Sequence, residues 1–453
     1  MIRQEYRRRV GSDRLFGAVV LALVAAACGI SSSGEPSTSP VTGTLATSTT
    51  TLPASTTSPP VVTTTAPPSG ITVDANLPDA LSGDDIGWGD VDADWYLVLY
   101  DASRADPSSA DDVRYGPVVL YVVDPGGTRY EVASWPSTPS YEALGDAVGS
   151  RAVVVGPGET LDASEWRLVD LTTGSMTVVY SETPPAMSPF GVDRARVVSL
   201  ARPDGAGLIV YHSDSTKEWL ELRSIDGTTS SVLFQQPESG TEDSLSWLQS
   251  PDGDSLVVGH DGGMALVARD GSTVRDLGAP DDHHCRPVRW WDADTVVAAC
   301  YGTESSAPLT EYGNPHLYYG QVWLIDMNGS AGSPLTSIPD DPLFVGDFGY
   351  SDALQIGDTT LLQWTGDCGA GAMAPLQADG SAGPLEPVET PGMWVAGYRM
   401  INAIDTSVTV YGWDACDAYV GGLFVVGTDG TYQRDLTPRV GDGRGVIGVL
   451  PLG

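Results

Sequence analysis

Seven times in this chain an apolar run meets a tight polar turn and returns as a second apolar run. The turns are Asp124-Pro125-Gly126-Gly127, Thr172-Thr173-Gly174, Asp226-Gly227, Asp270-Gly271, Asn328-Gly329, Asp379-Gly380 and Asp429-Gly430, and their glycines lie 44–58 residues apart. Asp-Gly and Asn-Gly suit hairpin turns because the central positions need a positive φ. A second element precedes each of these hairpins: a strand, a turn rich in Asp and Gly, then a strongly apolar strand. It is sharpest at 246–258, where Ser250-Pro251-Asp252-Gly253 leads into Ser255-Leu256-Val257-Val258. It is nearly as sharp at 199–211, where Arg202-Pro203-Asp204-Gly205 leads into Leu208-Ile209-Val210-Tyr211. The remaining copies fall at 89–100, 144–156, 288–299, 354–364 and 401–411.

Two hairpins make four strands, and seven units of about 50 residues predict an all-β fold, a seven-bladed β-propeller of four-stranded antiparallel blades over residues 71–453. One unit alone cannot cover both faces of its sheet, whereas stacking in a ring can. No apolar helical pattern runs for ten residues without Gly or Pro, in a chain with 53 Gly, 33 Pro and 41% hydrophobic residues. A pair of stacked β-sandwiches is the rival fold, and it does not account for two elements alternating seven times. The apolar run 445–450 follows the seventh unit. It is predicted to close the ring as the inner strand of the first blade, beside a start at 84–89. Ser-Pro-Asp-Gly before a β-run, repeated, resembles the PD40 repeat of the TolB-like propeller family. The resemblance spans the whole head and implies its fold more than its task. The family's namesake also carries a separate N-terminal α/β domain for its translocation partner. Residues 28–70 do not match such a domain, so that partnership is not implied.

The first 27 residues form a signal-like start. Arg3, Arg7, Arg8, Arg9 and Arg14 precede or open an uncharged run of 13 residues from Leu15 to Ala27. As a helix that run spans about 20 Å, short of a bilayer core of roughly 30 Å. It ends Ala25-Ala26-Ala27-Cys28-Gly29, which resembles the lipobox of bacterial lipoproteins. That resemblance implies cleavage before Cys28 and a diacylglycerol on its thiol. An ordinary signal peptide with an incidental Cys is the other reading, and Arg7-Arg8-Arg9 leaves a twin-arginine export route open. In residues 31–70, Ser, Thr and Pro make up 28 of 40 positions and Glu35 is the sole charge. Such a segment buries too little apolar surface to offset its ordering entropy. It reads as a disordered tether, and its threonine runs suit O-linked sugar.

With 23 Lys+Arg against 59 Asp+Glu, the net charge of −36 excludes nucleic-acid binding through a basic face. Acidity disfavours close contact with anionic lipid and tolerates cationic partners and divalent metals. Composition bias of a high-GC or salt-tolerant genome is the plainer explanation of the acidity. Four cysteines follow Cys28, and in an exported protein they default to structural disulfides. Cys285 and Cys300 flank a hairpin whose turn centres near Ala293, so they sit opposite each other and are predicted to pair. Cys368 and Cys416 follow the second strands of blades six and seven, and their pairing would staple adjacent blades. A zinc site with His283 and His284 is the alternative, against which stands the lack of close Cys pairs.

In a propeller, the loops between second and third strands share one end with the blade-to-blade connections. The longest, 301–320, carries Tyr301, Tyr312, His316, Tyr318 and Tyr319. Its counterpart 102–116 carries Arg104 and Arg114. Long loops on a rigid ring are where binding sits, and Tyr and His give contact area at small entropic cost. A loop packed on itself is the plain alternative. Acidic residues also gather before the predicted inner strands. Asp243, His284 and Asp352 are the candidates for a Ca²⁺ site at the channel mouth, which would suit a propeller lactonase or hydrolase. No G-x-S-x-G elbow and no sialidase Asp-box occurs. The stripe Trp166, Trp219 and Trp323 starts third strands and reads as packing between blades. The expected protein is a monomeric, lipid-anchored, extracytoplasmic binding or scaffold module without a cofactor. Its expected partner is an envelope protein or glycan, and its only membrane contact the anchor.

Overall fold

The structure is a computed structural model that describes residues 79–102, 104–105, 114–115, 117–136, 142–148, 152–157, 165–181, 194–214, 216–237, 245–272, 274–280, 283–302, 320–329, 332–337, 347–366, 371–383, 397–413, 421–437 and 445–452. The chain starts with β1 (Leu81–Ser82) and a one-turn 3-10 helix (Gly83–Asp85), followed by β2 (Tyr96–Asp101). A short pair, β3 (Arg104–Ala105) and β4 (Arg114–Tyr115), precedes β5 (Pro117–Val123) and β6 (Arg129–Pro136). Blade 2 is β7 (Glu142–Val148), β8 (Ala152–Pro157), β9 (Glu165–Asp170) and β10 (Met176–Ser181). Blade 3 is β11 (Arg194–Leu200), β12 (Gly207–Ser213), β13 (Lys217–Ser224) and β14 (Ser230–Pro237). Blade 4 is β15 (Ser246–Gln249), β16 (Ser255–His260), β17 (Gly263–Ala268) and β18 (Val274–Leu277). Blade 5 is β19 (His283–Trp290), β20 (Thr295–Gly302), β21 (Gly320–Asp326) and β22 (Ser333–Pro334). Blade 6 has β23 (Asp347–Ile356), β24 (Thr359–Gly366) and β25 (Gly371–Pro375). Blade 7 is β26 (Gly397–Ile404), β27 (Ser407–Trp413), β28 (Gly421–Gly427) and β29 (Tyr432–Thr437).

The last strand, β30 (Gly445–Pro451), pairs antiparallel with β2, from Tyr96 opposite Pro451 to Asp101 opposite Gly445. It is therefore the inner strand of blade 1, whose order is β30-β2-β5-β6. The apolar run at 445–450 closes the ring as its sequence predicts. Its expected neighbour does not. Residues 81–86 lie beside the outer strand instead, with Leu81 opposite Tyr130 and Ser82 opposite Glu131 in a parallel pair. The physical reason is local. Gly83-Asp84-Asp85 has no β-forming side chains, and it makes a helical turn capped by the Ser82 hydroxyl.

Ring closure is visible in the packing. Alternation along β2 sends Leu97 and Leu99 toward blade 2, with Val169 and Leu171, and sends Tyr96, Val98 and Tyr100 toward blade 7, with Leu423 and Val425. Five further buried clusters join blades 2 and 3 (Trp166, Leu208), 3 and 4 (Ile209, Val258), 4 and 5 (Val257, Val296), 5 and 6 (Val297, Leu362), and 6 and 7 (Leu361, Val410). Seven interfaces for seven blades close a circle. Each fully buried Leu, Val or Phe contributes roughly 1.5–3 kcal/mol.

All seven turn glycines between third and fourth strands hold positive φ: Gly127 93°, Gly174 66°, Gly227 68°, Gly271 69°, Gly329 83°, Gly380 81° and Gly430 76°. The neighbouring Asp or Asn does not, which corrects the expectation that both central residues are left-handed. In blade 4 the Gly271 N–H donates to the Ala268 carbonyl at 2.8 Å, and Ser272 N–H donates to Asp270 Oδ1 at 2.8 Å. This is a type I turn ended by a left-handed glycine, with the carboxylate as a local acceptor. Blade 6 departs from four full strands. Among its described residues the fourth-strand position shows one bridge, Leu376 to Ala382, and Pro375 at the end of β25 has no N–H to offer a ladder.

Candidate functional site

Antiparallel order puts two kinds of connection at two ends of the ring. Turns 1–2 and 3–4 of each blade share one end, here the turn end. Connections 2–3 and blade-to-blade share the other, the loop end. The chain enters the head at the turn end, because β1 pairs with the first residues of β6 just after the turn at 124–128. Arg129 secures it there, Nε donating to the Asp79 carbonyl at 2.9 Å and Nη1 to the Leu436 carbonyl of blade 7 at 3.2 Å. Arg434 answers from blade 7 by donating to the Pro125 carbonyl at 2.7 Å, and Asn402 Nδ2 donates to the Ala93 carbonyl at 2.9 Å.

At the loop end, β3 and β4 pair Arg104 with Tyr115 and Ala105 with Arg114. The backbone thus brings the two candidate arginines to adjacent rungs of one small hairpin above blade 1. Tyr301 closes β20 opposite His284, and burial raises its pKa while the nearby Arg286 charge opposes that rise. His284 Nδ1 lies 4.0 Å from Asp261 Oδ1, and the His283 ring is tilted against Trp323 at 6.4 Å. Beneath them Cys285 and Cys300 occupy one rung and are disulfide-bonded, as their spacing predicts. Tyr312, His316, Tyr318, Tyr319, Asp243, Cys28, Cys368 and Cys416 lie outside the described residues, as do the predicted signal and tether. Trp166 is buried between blades 2 and 3, while Trp219 stacks on His212 at 4.8 Å with Lys217 Nζ 4.5 Å above its ring.

The inner strands around the channel depart from regular pairing. Extra residues shift the register in β7, β11, β19, β23, β26 and β30, at 145–146, 196–197, Val288, 348–349 with Ser351, Ile401 and Ile447. Such bulges re-aim the side chains beside them. Just past its bulge, Arg289 on blade 5 reaches Asp352 on blade 6. Its Nε donates to Asp352 Oδ1 at 2.8 Å and its Nη2 donates to Oδ2. The same guanidinium donates to the Ile401 carbonyl at 3.2 Å and the Met400 carbonyl at 3.3 Å on blade 7. One arginine thus ties three inner strands together near the turn end. Asp352, proposed from sequence as a metal ligand, is 4% exposed and held by this fork, six residues into β23, whereas His284 stands at the loop end of β19. Among the described residues no group of three or more His, Cys, Asp or Glu gathers as a metal set. The arginines here were not singled out from sequence. Their signal was present: Arg194, Arg196, Arg286, Arg289 and Arg399 all fall in inner-strand positions of an acidic chain.

No protein-family model matches the chain, and no curated protein resembles it closely enough to match. Solved structures share its fold at low identity. A structure from a study of two prolyl endopeptidases and their inter-domain dynamics is 13% identical, with a TM-score of 0.43 over 74% of this chain, which spans about half (49%) of that chain's length. A putative 6-phosphogluconolactonase from Bacteroides uniformis is 13% identical, with a TM-score of 0.46 over 80% of this chain and 98% of its own. BamB from Moraxella catarrhalis is 14% identical, with a TM-score of 0.37 over 74% and 90%. The seven blades and their closure by β30 define the class of protein, a seven-bladed β-propeller.

Proposed function

We propose that the protein is a lipid-anchored, extracytoplasmic binding module of TolB-like type, which presents the loop end of its propeller to an envelope protein or glycan. One observation supports this reading above the others. The first described residues lie at the turn end, where Arg129 holds Asp79, while β3 and β4 lie at the loop end, and this reading joins the tether from a lipidated Cys28 to the former. Anchoring by one end frees the other. Two acyl chains, at about 0.8 kcal/mol per buried methylene, hold such a head stably at a membrane. The β3–β4 hairpin with Arg104 and Arg114 belongs to the presented end.

Site-directed photo-crosslinking on intact cells tests the reading. A crosslinker placed within 305–316 or 106–112 is expected to capture a partner, and one at Asp270 or Asp379 in the outer turns is not. Capture from the outer turns alone overturns it. So does unchanged capture after deletion of 305–316 in a protein with an unaltered melting point.

A further inference from the structure

The inner strands reverse the charge balance of the chain. Overall there are 23 basic and 59 acidic residues. The seven inner strands instead carry Arg194, Arg196, Arg286, Arg289 and Arg399 against Glu142, Asp146, Asp347 and Asp352. Over blades 5 to 7 two of these arginines meet one carboxylate. Arg289 occupies both oxygens of Asp352 and spends further donors on the Met400 and Ile401 carbonyls. Arg399, two residues before the bulge of β26, feels both of those charges, yet among the described residues it forms no hydrogen bond or ion pair.

Its surroundings are unusual. The Arg399 side chain keeps exposed surface although protein packs all around it. A group that solvent reaches but protein encloses is one that lines the central channel. The surrounding protein lowers its pKa from the ordinary arginine value, with Asp352 opposing that shift and Arg289 adding to it. A guanidinium nevertheless stays protonated, so the charge persists. Among the described residues two guanidinium groups and one carboxylate leave one positive charge uncompensated, on a side chain that solvent, and so a dissolved anion, can reach.

We infer that the channel holds a small oxyanion, a carboxylate or phosphate group, on the free fork of Arg399. The Arg289–Asp352 pair closes this sector toward the turn end, since Arg289 lies one residue from the end of β19. The ligand enters from the loop end. Planar guanidinium matches the two oxygens of either oxyanion. This inference depends on neither the lipid anchor nor the partner at the loop end.

Titration calorimetry of the full-length protein at low salt, with inorganic phosphate and separately with gluconate, tests it, with glucose as the neutral control. Saturable one-site binding of at least one oxyanion and none of glucose is expected, and the two arms tell phosphate from carboxylate. Arg399→Gln is expected to weaken that binding at least tenfold. Arg399→Lys retains part of it, because the charge stays and the fork is lost. Arg167→Gln on β9 leaves it unchanged. If Arg399→Gln does not fold, crystals of the wild-type protein soaked in selenate decide: an anomalous peak is expected beside Arg399. Absence of saturable binding, equal binding by Arg399→Gln and wild type, or no selenate peak in the channel overturns the inference.

Discussion

The turn between third and fourth strands is built alike in all seven blades, with a left-handed glycine and a polar residue beside it. The inner strands are built alike in none. Six of the seven carry a bulge, at different residues, and their charged side chains differ from blade to blade. At the rim the chain repeats one answer because each blade meets one geometric demand. Gly174 would place a Cβ 2.3 Å from the Val132 carbonyl on the outer strand of blade 1, and Gly271 would place one 2.8 Å from the Val232 carbonyl of blade 3. Turn and neighbouring blade are thus fitted to each other. At the channel no such demand applies, since inner strands face solvent space, and the blades are free to diverge. The difference teaches where to look for what distinguishes this propeller from others.

Breaking the channel pair is expected to have the largest effect. Asp352→Ala leaves Arg289 without its counter-charge among three strands, and loss of one partner of a buried pair costs about 3–5 kcal/mol. Urea denaturation measures it, and a loss under 1 kcal/mol would show the pair to be solvated rather than structural. At the rim the expected effects are smaller and graded. Gly174→Ala meets both a left-handed φ and the Val132 carbonyl, whereas Gly329→Ala meets the φ alone, with nothing within 4 Å of the added Cβ. Left-handed strain costs roughly 1–2 kcal/mol, so the second substitution falls in that range and the first exceeds it. Equal losses in the two melts would remove inter-blade packing from the account of these glycines.

The smallest effect concerns acid. Hydrogen bonds from the Ser224 hydroxyl and from Thr228 lower the Asp226 pKa to about 2, and bonds from neighbouring Ser or Thr likewise lower those of Asp270, Asp379 and Asp429. A carboxylate with a depressed folded pKa stabilises fully above its unfolded value, near 3.9, and loses that contribution as pH falls through the folded value. Stability should therefore decline as pH drops from about 4 toward 2. Asp226→Asn should flatten that part of the profile by lowering stability above pH 4, at neutral pH included, while leaving it unchanged near pH 2. An unchanged acid slope would assign the decline to other carboxylates.

Much of the ring could be read from residues. Gly at a fixed place after Asp, Asn or Thr marks a left-handed position that other residues avoid, so the outer hairpins announced themselves. The 445–450 run stood out as apolar with no unit left to join. Cys285 and Cys300 could be paired by counting outward from one turn. The misplaced 84–89 segment shows the limit: position in the repeat suggested an inner strand, while Gly83-Asp84-Asp85 had the composition of a turn. The Arg289–Asp352 contact was invisible for another reason. The two residues are 63 apart in sequence, and bulges at Val288 and Ser351 decide which way each side chain points. A bulge shifts register by one residue and leaves no mark on composition. Alternation counted across it assigns every later side chain to the wrong face.

The pairing of β2 with β30 also sets an order in time. The two strands are separated by more than three hundred residues, and a ribosome makes the second long after the first. Tyr96, Leu97, Val98 and Leu99 are fully buried in the finished ring, yet until β30 is made their strand has an open edge. Such an edge invites other strands, and a contact this distant forms slowly. Blade 1 is the earliest part of the propeller to be synthesised and the last that can be completed, so arrival of residues 445–451 is the event that turns a string of blades into a ring.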